Sequence, residues 1–592
     1  MTRPTPPVGA IARDRTAGAR GLALVSSLMA AVAAGMVFHI YGAADGVAAV
    51  DLLRAGLIFL STWWLAWGAA TALLGLTSRQ GPVPPELAGP VRGRTVVIVP
   101  VYNEDPTVTF ARIAAMDDSF RALNAGVQVD FAILSDTRDD RIAALERQMF
   151  VRLLARQQGE GRIFYRRRER NTGRKAGNVE EFIASSGAAW DYAVVLDADS
   201  LMEGATILTM IRRMEADPKL GLLQTLPRVI RARSLFGRAM QFAASFHSPV
   251  FARGLAAMQG RTGPFWGHNA IFRIRGWAES CGLPELPGRA PFGGHILSHD
   301  YVEAALLARA GWTVRLDDDL DGSFEEGPEN IIDHAKRDRR WCQGNLQHAK
   351  VIGAPGLRFW SRFTFFQGIF AYIAPLIWLV FIGASIVAAA TAGAPDYFPQ
   401  DHWPSPVFPD DQTAKAVGLA LGVFGLLVMP KLLVALDAAL TGRAAAFGGA
   451  WRSFGAMMAE LLLSSVIAPV LLAFQSRSVL QVLLGRDGGW PPNNRGDGGL
   501  RFGEAWAAGW WIGIWGLAGI VVTQFLAPAL TLWLLPVALP MLFAPVLIWW
   551  TSRPAATRRF PVPEDAALPE IIRRHDAILA EWHGTGEVRD VA

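Results

Sequence analysis

Seven long apolar runs, near residues 21–41, 54–76, 366–390, 414–437, 454–475, 506–526 and 528–550, constrain this chain more than any other feature. Each is long enough, or nearly so, to cross about 30 Å of hydrocarbon as a helix. They lie towards the two ends. Residues 95–350 contain none of them and carry most of the charged side chains, which makes them one water-soluble domain of roughly 255 residues, near the upper size for a single core. The expected architecture is a polytopic α-helical membrane protein with a large soluble domain inserted between its second and third spans. A charged fraction of 18% against 51% hydrophobic residues is low for a soluble protein and fits that reading.

Charge orients the spans. The segment 1–20 holds Arg3, Arg13, Arg15 and Arg20 against one aspartate, whereas the loop near 42–53 carries Asp45 and Asp51 with no basic residue. The positive-inside rule therefore puts segment 1–20 in the cytoplasm, the first two transmembrane helices in 21–78, and the 95–350 domain back in the cytoplasm. The acidic stretch from Asp396 to Asp411 reads as external, and the loop with Arg443 and Arg452 as internal. A simple crossing at 454–475 would then strand Arg477, Arg486, Arg495, Arg501 and the tail arginines 558, 559, 573 and 574 outside. The stretch 454–485 is too short for two full spans, which need about 40 residues, and Pro469 lies near its middle. A re-entrant or tilted helix pair at 454–485, within a C-terminal membrane region 366–550, restores cytoplasmic positions for the loop 486–503 and the tail 551–592. That loop, glycine-rich and polar, is either a flexible connector or a lid that reaches a bound substrate. The tail reads as mostly helical and offers no chemistry.

Two cysteines, Cys281 and Cys342, do not make a disulfide scaffold. The formal net charge of +5 is modest, and no pattern of basic and aromatic residues supports nucleic-acid binding. The surplus of basic residues is explained by their placement beside the membrane, where anionic lipid headgroups are natural partners.

The soluble domain opens with the strand Arg94–Val101, ending in Tyr102-Asn103-Glu104. A second strand, Val129–Leu134, ends at Ser135-Asp136, and the helical stretch 106–123 between them makes a βαβ unit with a parallel sheet. An apolar run from Tyr192 to Leu196 reads as the third strand and is followed by Asp197-Ala198-Asp199. Glu104, Asp136 and Asp197 should then emerge on one edge of one sheet, where open α/β sheets bind ligands. Asp197 and Asp199, two residues apart, suit a divalent cation and the phosphate oxygens it carries. Asp136 reads either as a turn or cap residue or as an acceptor for a nucleotide base or sugar. No Gly-x-Gly-x-x-Gly follows the first strand and there is no phosphate-loop motif, which argues against dinucleotide enzymes and phosphate-loop ATPases.

Further along, Asn171-Thr172-Gly173-Arg174-Lys175-Ala176-Gly177-Asn178 is either a cationic surface or a cradle in which Lys175 meets a diphosphate. Phe265-Trp266-Gly267-His268-Asn269 has the makings of a sugar-binding shelf, although His268 reads equally as a structural histidine. Asp300, near the start of a helix, either caps it or takes a proton as general base. Lys336-Arg337-Asp338-Arg339-Arg340-Trp341 offers Trp341 as a stacking surface for a sugar and Arg340 to the charge on a leaving diphosphate.

These residues, in this order, resemble the processive family-2 glycosyltransferases, which include bacterial cellulose synthase. The resemblance lies in a strand-end aspartate (Asp136), the Asp-x-Asp (Asp197, Asp199), a base position (Asp300) and an Arg-Trp helix (Arg340, Trp341). Here Ser298-His299-Asp300 keeps only the aspartate of the family's Thr-Glu-Asp, and Arg337 replaces the glutamine of its Gln-x-x-Arg-Trp. These departures weaken a cellulose synthase assignment. Together with Phe265–Asn269, Leu297–Glu303 and Lys336–Leu346, they resemble the glucans biosynthesis glucosyltransferase H subfamily.

The resemblance covers about 20–550 and is most specific within 95–350. It implies a GT-A fold, UDP-glucose as donor with Asp136, Lys175, Glu104 and Asn178 around it, and Mg²⁺ or Mn²⁺ on Asp197 and Asp199. It implies Asp300 as base, Arg340 on the leaving group, and Trp266, His268 and Trp341 along the growing glucan. The product implied is a β-glucan, typically β-1,2-linked, the backbone of osmoregulated periplasmic glucan. A multi-pass protein of the bacterial inner membrane is implied too, with a periplasmic partner and, in some members, acyl carrier protein. Trp64, Trp378 and Trp511 are candidates for the glucan's path. Three alternatives stay open: a β-1,4-glucan synthase, a lipid glycosyltransferase, and a transporter with a non-catalytic nucleotide-binding domain.

Overall fold

The computed structural model describes residues 8–42, 49–78, 84–392, 412–486 and 498–584, with Tyr397 and 404–406. It forms two compact units. The membrane unit comprises Met1–Thr77, Phe370–Val479 and Leu500–Arg553; the sheet unit comprises Ser78–Ile369, Leu480–Gly499 and Pro554–Ala592.

Ten strands build the sheet unit: β1 Thr95–Val101, β2 Val129–Ser135, β3 Ile163–Arg167, β4 Tyr192–Val195, β5 Leu201–Met202, β6 Leu220–Gln224, β7 Arg228–Ile230, β8 Ala270–Arg273, β9 Thr313–Leu316 and β10 Ser323–Glu326. Seven form one sheet in the order β3-β2-β1-β4-β8-β6-β9, in which only β8 runs antiparallel to its neighbours. The other three form a small sheet, β5-β10-β7. Chain order reverses between β1 and β4, so the crevice for a ligand opens at their carboxyl ends. The strand ending at Asp197 is thus the fourth, not the third. The missing one, β3, contains Arg166 and Arg167 of a basic run whose charge hides the strand pattern.

The apolar runs of these strands divide between two cores. Val97, Val99 and Val101 of β1 face one, with Phe131 and Ile133 of β2 and Val194 of β4. Val96 and Ile98 face the other, with Ala132, Leu134, Ala193 and Val195. Burial on both faces is why the runs are continuous rather than alternating. The first core has an unforeseen contributor, for the helix Glu570–Gly584 buries Ile571, Ile572, Ile578 and Trp582 in it. At about 1.5–3 kcal/mol for each fully buried large apolar side chain, these four make the tail part of the fold.

In the membrane unit, six helices are long and apolar enough to cross a bilayer among the described residues: Thr16–Gly42, Ala49–Thr77, Phe359–Thr391, Thr413–Leu440, Ala450–Leu483 and Phe502–Leu526. A seventh segment is the pair Pro528–Leu542 and Ala544–Thr551, bent by 58°. The expected break at 454–485 is therefore corrected: Ala450–Leu483 is one helix running through Pro469. A single internal proline removes one hydrogen bond and is absorbed there. The break falls instead at Phe543, after Pro536 and Pro540, where Pro545 opens the next helix. Trp64 packs at 5.4 Å from Phe370, Trp378 at 6.0 Å from Phe381, and Trp511 at 5.8 Å from Phe474 with Arg477 over its ring. Residues 487–497, the centre of the glycine-rich loop, lie outside the described residues.

Candidate active site

The parallel strands β1, β2 and β4 end together, and their loops are tied to one another. Asn103, with a left-handed φ of 57°, accepts at its side-chain oxygen from the backbone N–H groups of Arg138 and Asp139 at 3.2 and 3.3 Å. Glu104, the expected donor contact beside it, is half-buried and accepts from the Tyr102 N–H.

Asp136 is buried, and its carboxylate is taken up internally. Arg168 grips it with two hydrogen bonds of 2.7 and 2.8 Å, and the Asn178 amide donates to it at 3.0 Å. The same guanidinium donates to the carbonyls of Thr172 and Arg174 at 3.0 and 2.9 Å, so Asp136 pins the segment Asn171–Asn178 through Arg168. Asn178 is fully buried; its amide also reaches the Leu134 carbonyl at 3.1 Å, and its oxygen accepts from Arg166 at 2.6 Å. The expected donor contact at Asn178 is corrected accordingly, because every polar atom of that side chain is used beneath the cradle. Beside this web is a cleft of about 760 Å³, lined by Arg138, Arg167, Arg168, Arg170 and Arg174 with Glu169 the lone carboxylate. Such a lining favours an anionic ligand.

At the end of β4 the acidic turn is held from below and approached from the side. The Asp197 N–H donates to Ser200 Oγ at 3.0 Å, Ser200 Oγ donates to Asn269 at 2.5 Å, and Arg112 of the helix Pro106–Arg121 donates to the Ala198 carbonyl at 2.9 Å. Both carboxylates remain half-buried and reachable, with the Asp197 side chain 36% exposed. Lys175 Nζ donates to Asp197 and, at 2.7 Å, to the Gly267 carbonyl. Gly267 has a φ of +85°, which L side chains rarely adopt, and a Cβ built on it would stand 3.6 Å from an Asp300 carboxylate oxygen. Lys175, Asp197 and Asp300 therefore meet around one glycine.

Asp300 occupies the first turn of the helix His299–Arg309. The preceding Ser298 is clamped by the arginine-rich helix Ile331–Gln347, where a Cβ on Gly344 would fall 2.2 Å from Ser298 Oγ. Gln347 accepts from the Leu297 N–H at 3.0 Å, and His348 Nε2 faces the Ser298 carbonyl at 2.9 Å. Burial pushes the Asp300 carboxyl above the usual carboxylate range, against the opposing pull of His299. For His299, burial pushes the imidazole down, but the Glu303 carboxylate at 2.9 Å more than reverses this and the net shift is upward.

The shelf residues flank this centre. Trp266 is half-buried, and its backbone N–H donates to Gln224 at 3.0 Å. His268 faces Asn269 at 3.1 Å through Nδ1 and stands 3.5 Å from Glu325 through Nε2. Glu325, on the short strand β10, has no sequence signal that singles it out. Burial pushes its carboxyl up, His268 and Arg337 oppose this, and Asp199 and Asp197 add to it, so it lies within the field of the acidic turn. Trp341 is 45% exposed with the Arg337 guanidinium 4.5 Å over its ring, and Arg340 is half-buried on the same helix.

Asp197 and Asp199 offer a hard divalent ion two reachable carboxylates, and such an ion would displace the Lys175 ammonium now paired with Asp197. Among the described residues no three His, Cys, Asp or Glu side chains converge into a complete cage. A Mg²⁺-like ion held by one or two carboxylates draws its remaining ligands from water and from phosphate.

Comparison with known proteins gives the class. The model for Glycosyl transferase family 2 matches residues 96–277, and that for Glycosyl transferase family group 2 matches residues 192–474. Sheet, site and matched region define a multi-pass membrane glycosyltransferase with a GT-A-like soluble domain. The glucans biosynthesis glucosyltransferase H of Cereibacter sphaeroides is 61% identical over 571 residues, 96% of each chain. That of Rhodopseudomonas palustris (strain TIE-1) is 37% identical over 612 residues, 99% of this chain and 82% of the relative. The chain belongs to the glucans biosynthesis glucosyltransferase H family. Among solved structures, a mannosyltransferase from Pyrobaculum calidifontis in complex with GDP-Man and Mn²⁺ aligns over 67% of this chain and 98% of its own, with a TM-score of 0.45 and 18% identity, a likeness too distant to carry an argument.

Proposed function

We propose that this enzyme transfers glucose from UDP-glucose, with inversion, to a growing β-glucan, most simply the β-1,2-linked backbone of osmoregulated periplasmic glucan, and couples elongation to export. The observation that supports this is the meeting of Lys175, Asp197 and Asp300 around Gly267. It sets a cation and a proposed metal-binding acid beside the carboxylate of Asp300, the arrangement that a single displacement needs.

In that reading the glucan hydroxyl gives its proton to Asp300 as its oxygen bonds to C1 of the donor, and the bond from C1 to the UDP oxygen breaks. Lys175 and Arg340 take the negative charge that develops on the leaving diphosphate. Asp197 and Asp199 would hold Mg²⁺ or Mn²⁺, which when bound supplies further charge stabilisation to the diphosphate. The arginine-lined cleft beside Asp136 takes the nucleotide, with Asp136 acting through Arg168. Trp341 and Trp266 carry the glucan, and His268 with Glu325 meets its hydroxyls. A periplasmic partner receives the product, and acyl carrier protein belongs to the same proposal.

The proposal includes a topology. Residues 480–486, 498–499 and 554–584 belong to the sheet unit, and the topology proposed puts them on its side of the membrane. Three apolar helices separate Ile369 from Leu480, and three complete crossings would end on the opposite side. One of the three is therefore proposed not to complete its crossing, and Ala450–Leu483, which carries Arg452, Glu460 and Arg477, is the helix assigned that role.

The test is UDP release from UDP-glucose by the purified protein in lipid with Mg²⁺ or Mn²⁺, followed by linkage analysis. A β-1,2-linked polymer is expected. A β-1,4 chain would reassign it to a cellulose-like product, and a single-sugar glycolipid would overturn processive synthesis. No UDP release, with Asp300→Asn indistinguishable from the parent, would revive a non-catalytic role.

A further inference from the structure

The tail, without chemistry as a sequence, reaches the acidic turn through a chain of side chains. Asp576, in the helix Glu570–Gly584, accepts from Arg231, whose guanidinium also lies 2.8 Å from His575 Nδ1. Arg231 Nη1 stands 3.6 Å from Glu326 Oε1, and that same oxygen accepts from Arg112 Nη2 at 2.6 Å. Arg112, only 5% exposed, then donates through Nη1 to the Ala198 carbonyl, between Asp197 and Asp199.

Three features argue that this chain is more than surface pairing. Arg231 holds a φ of 63°, an uncommon conformation for a residue with a side chain, and surrounding structure must enforce it. Its helix partner is fixed, since Ile571, Ile572, Ile578 and Trp582 are buried in the core that holds Phe110 and Ile113, beside Arg112. The segment leading to that helix is anchored separately, with Arg238 donating to Asp565 at 2.9 Å and to the Phe560 carbonyl at 2.5 Å. A carbonyl between two metal-binding carboxylates, held by a buried guanidinium, sets the angle at which they present their oxygens.

We propose that the C-terminal helix is a positioning element for the Asp197-Ala198-Asp199 turn, acting through Arg231, Glu326 and Arg112. The part concerning metal rests on the assignment of that turn as the cation site. Asp576, Arg231 and Glu326 are positioning residues, remote from the reacting atoms.

The test uses the full-length protein with Arg231→Ala, Arg231→Lys, Asp576→Asn and the double variant Arg231→Ala/Asp576→Asn. One readout is Mn²⁺ binding in the presence of UDP, followed by electron paramagnetic resonance without turnover. The other is hydrogen exchange of the peptide covering 195–202 in metal-free protein. Direct outer-shell partners typically change metal affinity about 10–100-fold, so this more distant link should weaken Mn²⁺ about three- to tenfold in Arg231→Ala. Arg231→Lys should recover part of the loss, and the double variant should match Arg231→Ala because the tail acts through that arginine. Exchange at 195–202 should quicken while β1 keeps its protection. Unchanged exchange at 195–202 in a folded Arg231→Ala protein would overturn the proposal whatever the metal does. Quickened exchange with no Mn²⁺ binding even in the parent would uphold the brace and sink the metal assignment instead.

Discussion

Asp136 and Asp197 follow the two parallel strands that flank β1, lie at the same edge of the sheet, and have opposite fates. Asp136 is closed off, its side chain 8% exposed and gripped by an Arg168 that is 3% exposed. Asp197 is 36% exposed and shares a lysine with the Gly267 carbonyl. One strand-end acid is internal scaffolding for the segment Asn171–Asn178, and the other stays reachable from solvent beside its lysine. Position at the carboxyl end of a strand selects a residue for the site; the nearest guanidinium decides whether it works there or underneath.

Asp300, the third acid at this edge, carries the largest expected effect. Asp300→Asn should lower turnover by about 10²–10⁴-fold, the usual reach of general-base catalysis, while UDP binding stays near the parent. Equal loss of both would make Asp300 structural. Burial raises its carboxyl, so falling pH should protonate it sooner than a free aspartate. The acid limb of the kcat profile should therefore lie above the ordinary carboxylate range, and the residual activity of Asp300→Asn should lack it.

Asp197→Asn should cost about 10²–10³-fold in turnover, comparable to removing one preorganised charge contact, with Tm unchanged. Asp136→Asn should do the reverse. Breaking a buried ion pair costs about 3–5 kcal/mol, so thermal unfolding in detergent should fall by several degrees before turnover per folded molecule suffers as much. If Asp136→Asn kept its Tm and lost UDP affinity, the contrast would collapse and Asp136 would touch the nucleotide itself. The smallest effect belongs to Trp341→Ala. Loss of one stacking surface, about 0.5–1.5 kcal/mol, should raise the acceptor KM about two- to tenfold and leave UDP binding alone.

The membrane-and-insert plan was legible because apolar length and charge placement act over tens of residues, and the strands before Glu104, Asp136 and Asp197 because burial on both faces makes continuous apolar runs. What escaped depends on contacts between distant positions. β3 was masked by its own arginines, and Glu325 sits on a four-residue strand with no pattern of its own. Arg112 had a faint signal, a lone cation in the apolar run from Phe110 to Met116, where a buried partner has to exist. Asn178 looked like part of a cradle because it follows the glycines, and its two hydrogen-bonding directions are consumed below. The break expected at 454–485 rests on charge parity, which counts crossings but does not fix where a helix bends; the bend lies instead among Pro536, Pro540 and Pro545.

Gly267 has a consequence for how such an enzyme can change in evolution. Its carbonyl accepts from Lys175, and a Cβ built on it would stand 3.6 Å from an Asp300 carboxylate oxygen. Under the proposed roles, a single peptide unit separates the donor-side lysine from the acceptor-side acid. A methyl group at 267 would meet Asp300 at ordinary van der Waals distance, so what holds the position to glycine is the backbone: a φ of +85° that L side chains rarely adopt, and that any replacement would have to strain or abandon.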